Sequence, residues 1–197
     1  MFYPQITRRS QYKLSSLGTP FADYRAYYDE ISEDCAFRCV YCDILLRENG
    51  GEGMHLDHFR PQKLFPELSR SPENLVLACA KCNLLKSNFW PDENHSLTYF
   101  IDPFRVIRAD HFSVIRDGKI SALTQQSDYM INILSLNRPS RCTVRKMRIL
   151  KKEASQIIAH IENELFTLDT TAPDFRIQHI HNLGSALKEI RIMLENL

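Results

Sequence analysis

Two Cys-x-x-Cys pairs, Cys39-Val-Tyr-Cys42 and Cys79-Ala-Lys-Cys82, constrain this chain more than any other feature. A tight knuckle delivers two thiolates to one point, and two knuckles deliver the four ligands of a closed, structural zinc site. The stretch between them is cut by Gly50-Gly51, Pro61, Pro66 and Pro72. That texture suits a compact, loop-rich module held by metal rather than by a large core. Six cysteines without a secretion signal in the opening residues point the same way, because a cytosolic chain keeps its thiols reduced. Cys35, in a Cys-x3-Cys spacing with Cys39, is an alternative ligand; the pair Cys39 and Cys42 is preferred. Cys35 and Cys142 then read as buried, inert thiols.

With 197 residues, 44% hydrophobic and 25% charged, the chain can bury a real core. No apolar run nears the roughly 20 residues that span a bilayer, so the expectation is a cytoplasmic protein with no membrane partner. A formal net charge of +1 leaves nucleic-acid binding to local patches. One such patch runs from Arg138 to Lys152, without an acidic residue, and Arg141, Arg145, Arg148 and Lys152 recur at helical steps. They form either a phosphate-contacting face or a solvated one.

Periodicity predicts a helix over about Phe21–Ser32, a short strand at Met54–Phe59, a turn at Ser71–Asn74 feeding the apolar run Leu75–Ala78, and a short helix at Lys81–Asn88. It further predicts a hairpin at Phe112–Leu123, a helix at Asp128–Leu136, a long one at Ser140 to about Phe166, and a last one at Asp174–Glu195.

Between the knuckles lies His55-Leu-Asp57-His58-Phe-Arg60-Pro61, then Asn74-Leu75, and the second knuckle runs into Asn83-Leu-Leu-Lys86. This order resembles the HNH endonuclease family, in the variety clipped by a four-cysteine zinc, over about Cys39 to Lys86. The resemblance implies a small ββα-metal core, and with the N-terminal helix and C-terminal helical hairpin read from periodicity the expected fold is α+β. The corresponding segments are residues 1–34, 35–91 and 92–197. It implies that Asp57 and Asn83 bind one catalytic ion, that His58 is the general base, and that Asn74 braces the loop orienting His58. Asn83, standing where many relatives carry His, shifts the expected ion to Mg²⁺ or Mn²⁺. Because Asp57 and His58 leave opposite faces of an ideal strand, a turn at Phe59–Pro61 is expected to re-aim one of them.

His55 shares a strand face with Asp57, and reads as a structural histidine in preference to a metal-supporting one. Arg60 and Lys86 are either phosphate contacts or surface charges, while Trp90 packs under a loop in preference to stacking a base. The expected activity is hydrolysis of DNA, double-stranded and with little sequence preference. The segment Leu134-Ser-Leu-Asn137-Arg138-Pro139 resembles the stretch beyond the core in compact bacterial HNH proteins, some paired with an ATPase in anti-phage defence, which implies such a partner. The competing reading is a non-catalytic zinc module that binds DNA or protein.

Overall fold

The computed structural model describes residues 2–91, 99–167 and 174–195. It divides into two compact units, Met1–Val144 and Arg145–Leu197. The sequence-derived boundaries at 34/35 and 91/92 both fall inside the first unit, because extended chain from the N-terminus is built into the same core. Tyr3 donates its hydroxyl to the Tyr41 carbonyl at 2.9 Å and stacks on Phe112 with centroids 4.8 Å apart. Arg8 reaches the carbonyls of Pro72 and Leu75, and Arg9 binds Glu30, Glu33 and Asp34.

The N-terminal helix is shorter than periodicity predicts. A 3-10 turn at Tyr24–Tyr27, capped by Asp23, precedes helix α1 (Tyr28–Asp34). Strands β1 (Met54–His58) and β2 (Leu75–Cys79) form an antiparallel pair with Met54 opposite Cys79 and His58 opposite Leu75. Every residue of β2 is buried, while β1 is buried except at His55. The short helix α2 (Ala80–Lys86) continues directly from β2 without a loop and packs on both strands; Ser87, at φ 44°, ends it two residues before the predicted limit. Together these form the α+β core expected from sequence.

A second antiparallel pair, β3 (Phe112–Val114) and β4 (Ile120–Ala122), is closed through Gly118, whose φ of 84° is open to glycine at no steric cost. Helix α3 (Gln125–Ile133) starts three residues earlier than its apolar pattern suggests, because Thr124 and Ser127 exchange hydrogen bonds as a capping pair. The long helix α4 (Pro139–Thr167) begins on proline, whose missing N–H is no loss at a first helical position. In the second unit the remainder of α4 meets α5 (Asp174–Glu195) through Arg191 and Glu162 at 2.8 Å, giving the helical hairpin. No helix among the described residues is long and apolar enough to cross a membrane.

The linker from α3 to α4 is fully employed. Leu134 and Leu136 are buried in the core. Asn137 pairs with an edge strand as a peptide group would, accepting from the Ile120 N–H at 2.7 Å and donating to its carbonyl at 2.8 Å. Replacing Asn137 with Ala orphans both backbone groups in a half-buried site, at about 1–3 kcal/mol for each group left buried without a partner. Urea denaturation is expected to show the variant destabilised by roughly 2 kcal/mol.

Candidate zinc centre and catalytic site

All four knuckle cysteines are buried, and their sulfur atoms lie within 4.8 Å of one another. Zinc–sulfur bonds of about 2.3 Å in a tetrahedron require sulfurs about 3.8 Å apart. The Cys42 and Cys79 sulfurs are 3.8 Å apart, so the cluster suits zinc. The first knuckle is shaped by Asp43, at φ 59°, whose N–H closes back on the Cys39 carbonyl while the Val40 N–H bonds Leu77 of β2. The second knuckle straddles the end of β2 and the first turn of α2. Cys35 stands outside the cluster: fully buried, it accepts the Leu77 N–H, and burial pushes its thiol up to about 11. Cys142 donates to the Asn137 carbonyl.

Four thiolates around one divalent ion carry a net charge of about −2, and a buried charge needs a partner. Arg138 supplies it. Its Nη2 lies 3.4 Å from the sulfurs of Cys79 and Cys82 and 3.9 Å from that of Cys42. Burial alone would lower the guanidinium's pKa, yet the neighbouring thiolates hold it above its ordinary value. In the sequence Arg138 is one member of a basic run, with nothing in its neighbours to mark it as a counter-ion.

Asp57 and His58 both lie in the paired part of β1, so the chain does not turn between them and they face opposite ways. The Asp57 carboxylate points at α2. It accepts the Tyr41 hydroxyl at 2.6 Å and binds the Lys86 Nζ at 3.2 and 3.3 Å. Lys86 also donates to the His58 carbonyl at 2.7 Å and is fully buried. Lys86 is therefore neither a phosphate contact nor a surface charge; it is the counter-ion of Asp57. Burial pushes the Asp57 carboxyl up and the Lys86 amine down, and each partner's charge pulls the other back. Tyr41, held far above its usual range by burial and by Asp57, stays a phenol that donates. Both carboxylate oxygens are thus engaged in a closed site, which does not fit the expected role of Asp57 as an open metal ligand.

His58 faces the other way. Its Nε2 lies 2.9 Å from the Ser69 carbonyl, and its ring meets that of Tyr24 edge-on at 4.7 Å. A carbonyl only accepts, so Nε2 carries the hydrogen and the lone pair is left on Nδ1. Asn74 clasps the loop beyond the strand: its side chain accepts from the Arg60 N–H and donates to the Arg60 carbonyl, both at 2.9 Å. Arg60 is half-buried, over the rings of Phe65 and Trp90. Trp90 packs among Phe59, Phe65 and Phe100.

Asn83, one helical turn before Lys86, does not share that closed site. It lines an open cleft of about 330 Å³ with Tyr24, Arg25 and Tyr28 on one side and Met54, His55 and Leu56 on the other. His55 is exposed, against the expectation of a structural histidine. On α4, Arg145 is 1% exposed, so the expected basic stripe is broken and Arg145 does not present itself to phosphate. Arg141 bonds the Asn49 side chain at 2.9 Å.

Removing a group that orients or neutralises metal ligands costs about 10- to 100-fold in affinity. Arg138→Met is expected to weaken zinc retention by that factor in a chelator competition, and unchanged retention would show that the guanidinium is a bystander.

Residues 39–89 match the family described as HNH endonuclease. The chain is also 33% identical over 81 residues to protein ea31 of Escherichia phage lambda, across 40% of this chain and 26% of the phage protein. The chain thus spans about a quarter of the length of that curated relative. From the first knuckle to just beyond α2, this protein carries an HNH endonuclease domain.

Proposed function

We propose that this protein is a metal-dependent endonuclease that hydrolyses the phosphodiester bonds of DNA, with His58 as general base, Asn74 as the brace of its loop and Asn83 among the residues holding the divalent ion. The orientation of His58 carries the reading. With Nε2–H donated to the Ser69 carbonyl, Nδ1 is the basic nitrogen, and it takes the proton of the attacking water. An imidazole is suited to this because one ring nitrogen can donate while the other keeps a lone pair that accepts a proton. An ion held at the site, Mg²⁺ or Mn²⁺ on the family's pattern, supplies charge neutralisation at the scissile phosphate and the leaving 3′ oxygen. Asp57 enters no step, since its charge is balanced by Lys86. Arg60, beside the clasped loop, is the candidate phosphate contact.

One observation favours the competing reading of a non-catalytic zinc adaptor, namely the closure of Asp57 by Lys86. Nicking of supercoiled plasmid with Mg²⁺ or Mn²⁺ separates the two. General-base removal costs about 10²- to 10⁴-fold. His58→Ala is expected to lose nicking by that factor while keeping its zinc; cutting at the parental rate would remove His58 as the base.

A role in host defence with a partner ATPase belongs to the same proposal. It rests on the resemblance of the Leu134–Pro139 segment to compact HNH proteins paired with an ATPase; the second unit exposes large apolar side chains, Ile157 at 50%, Phe166 at 91% and Ile177 at 61%, that a partner of any kind would cover. Affinity capture from the native host is expected to return an ATPase, and its consistent absence would count against this part.

A further inference from the structure

A pocket of about 620 Å³ opens beside the loop that holds His58. Leu68 and Ser71, on either side of the Ser69 carbonyl, line it, and so do Arg60 and Asn74 of the loop clasp. Its wall is aromatic: Trp90 meets Phe59 at 5.4 Å and Phe100 at 5.9 Å, and Tyr99, 40% exposed, extends the wall toward solvent. The volume falls within the range of about 300–1,000 Å³ typical of small-ligand sites.

The charged groups around this wall are of both signs, Arg60 and Arg105 beside Glu73 and Asp102. Two carboxylates against two guanidiniums leave the pocket no net positive charge to draw in a phosphate. They suit a nucleobase instead, whose ring stacks on aromatic side chains while its amino group donates to a carboxylate. Asp102 is held by Arg105 at 3.5 Å and by the Phe104 N–H at 3.0 Å. Glu73 is exposed and accepts one hydroxyl, that of Ser71 at 2.7 Å, and a carboxylate has room for further donors. Arg60, the candidate phosphate contact, lines the same pocket, so a base seated there and its own phosphate are within reach of one loop.

We propose that this pocket takes one unpaired base of the bound DNA strand, with Tyr99 stacking on it and Glu73 accepting from its exocyclic amine. The proposal rests on the nuclease reading above and deepens it, naming opened or single-stranded DNA as the form that is gripped. Cytosine and adenine carry the amine; thymine presents carbonyl oxygens there, which a carboxylate repels.

Trp90 is the single tryptophan of the chain, so its fluorescence reports on the pocket. The full zinc-loaded chain, without added Mg²⁺ or Mn²⁺, is titrated with a short thymidine strand, the same strand with one central cytidine or adenosine, and a matching duplex. Anisotropy of a label on the DNA reads binding, and Trp90 emission reads occupancy of the pocket. The strands with one amino-bearing base are expected to bind at least about fivefold tighter than the all-thymidine strand and to alter Trp90 emission, the lower end of what one base contact contributes. The duplex is expected to leave the emission unchanged. Glu73→Ala is expected to abolish the preference, and Tyr99→Ala to weaken every strand at least about fivefold, with retained zinc verifying the fold of each. Equal affinity for the three strands, Trp90 emission that none of them alters, or a preference that survives Glu73→Ala overturns the base pocket, and plasmid nicking by the same protein leaves the nuclease standing. No binding of any DNA, together with no nicking, overturns both.

Discussion

A cluster of four thiolates within 4.8 Å of one another cannot persist in a protein interior without compensating charge. That electrostatic demand organises the first unit. A zinc ion held by the four sulfurs would answer most of it, and the Arg138 guanidinium, arriving from the α3–α4 linker, lies against the same sulfurs. The cluster also fixes geometry, since one knuckle is tied to β2 by the Val40 N–H and the other contains the β2–α2 junction. Sheet and helix thereby acquire one relative setting, and the side chains between them are aligned in consequence.

The alignment produces two unlike environments a short way apart on one strand. Deep in the interface an ammonium and a carboxylate neutralise each other, with Tyr41 completing the carboxylate's hydrogen bonds. Such a pair contributes little net stability, yet leaving either partner alone would strand a buried charge. At the open end the same two elements present His55 and Asn83 to a cleft. The proposed general base stands on the opposite side of β1, held by the Ser69 carbonyl, and the Tyr24 ring connects it to the cleft. The strand runs straight through Asp57 and His58 because both are paired with β2, as Val76 and Leu75 require.

Several features are legible in the sequence because they depend on spacing within a few residues. The knuckles, the Asp-His-x-x-Pro segment, the turn before β2 and the α+β class are all matters of local pattern. The family likeness marks Asn74 as a loop brace, and its hydrogen bonds to Arg60 supply the geometry of such a brace. Helix limits depart from the apolar period where capping overrides it, as at Thr124 and Ser127. Tyr41 has a signal of its own, since a phenol inside a knuckle, destined for the interior, needs a hydrogen-bond partner. Lys86 and Arg145 look like surface cations in the sequence and are buried in the fold, since charge alone says nothing about burial.

By itself the sequence determined the knuckle cysteines, the order of the HNH elements and the candidate base, because ligand delivery by a knuckle and the neighbourhood of a dipeptide are properties of adjacent residues. Only the tertiary structure decided which cation Asp57 meets, what Arg138 neutralises and which histidine faces the open cleft. Those outcomes join residues 29 positions apart in the case of Lys86 and Asp57, and 96 apart in the case of Arg138 and Cys42. They depend on the register between a strand and a helix, which is set through space by the cysteine cluster and the core around it.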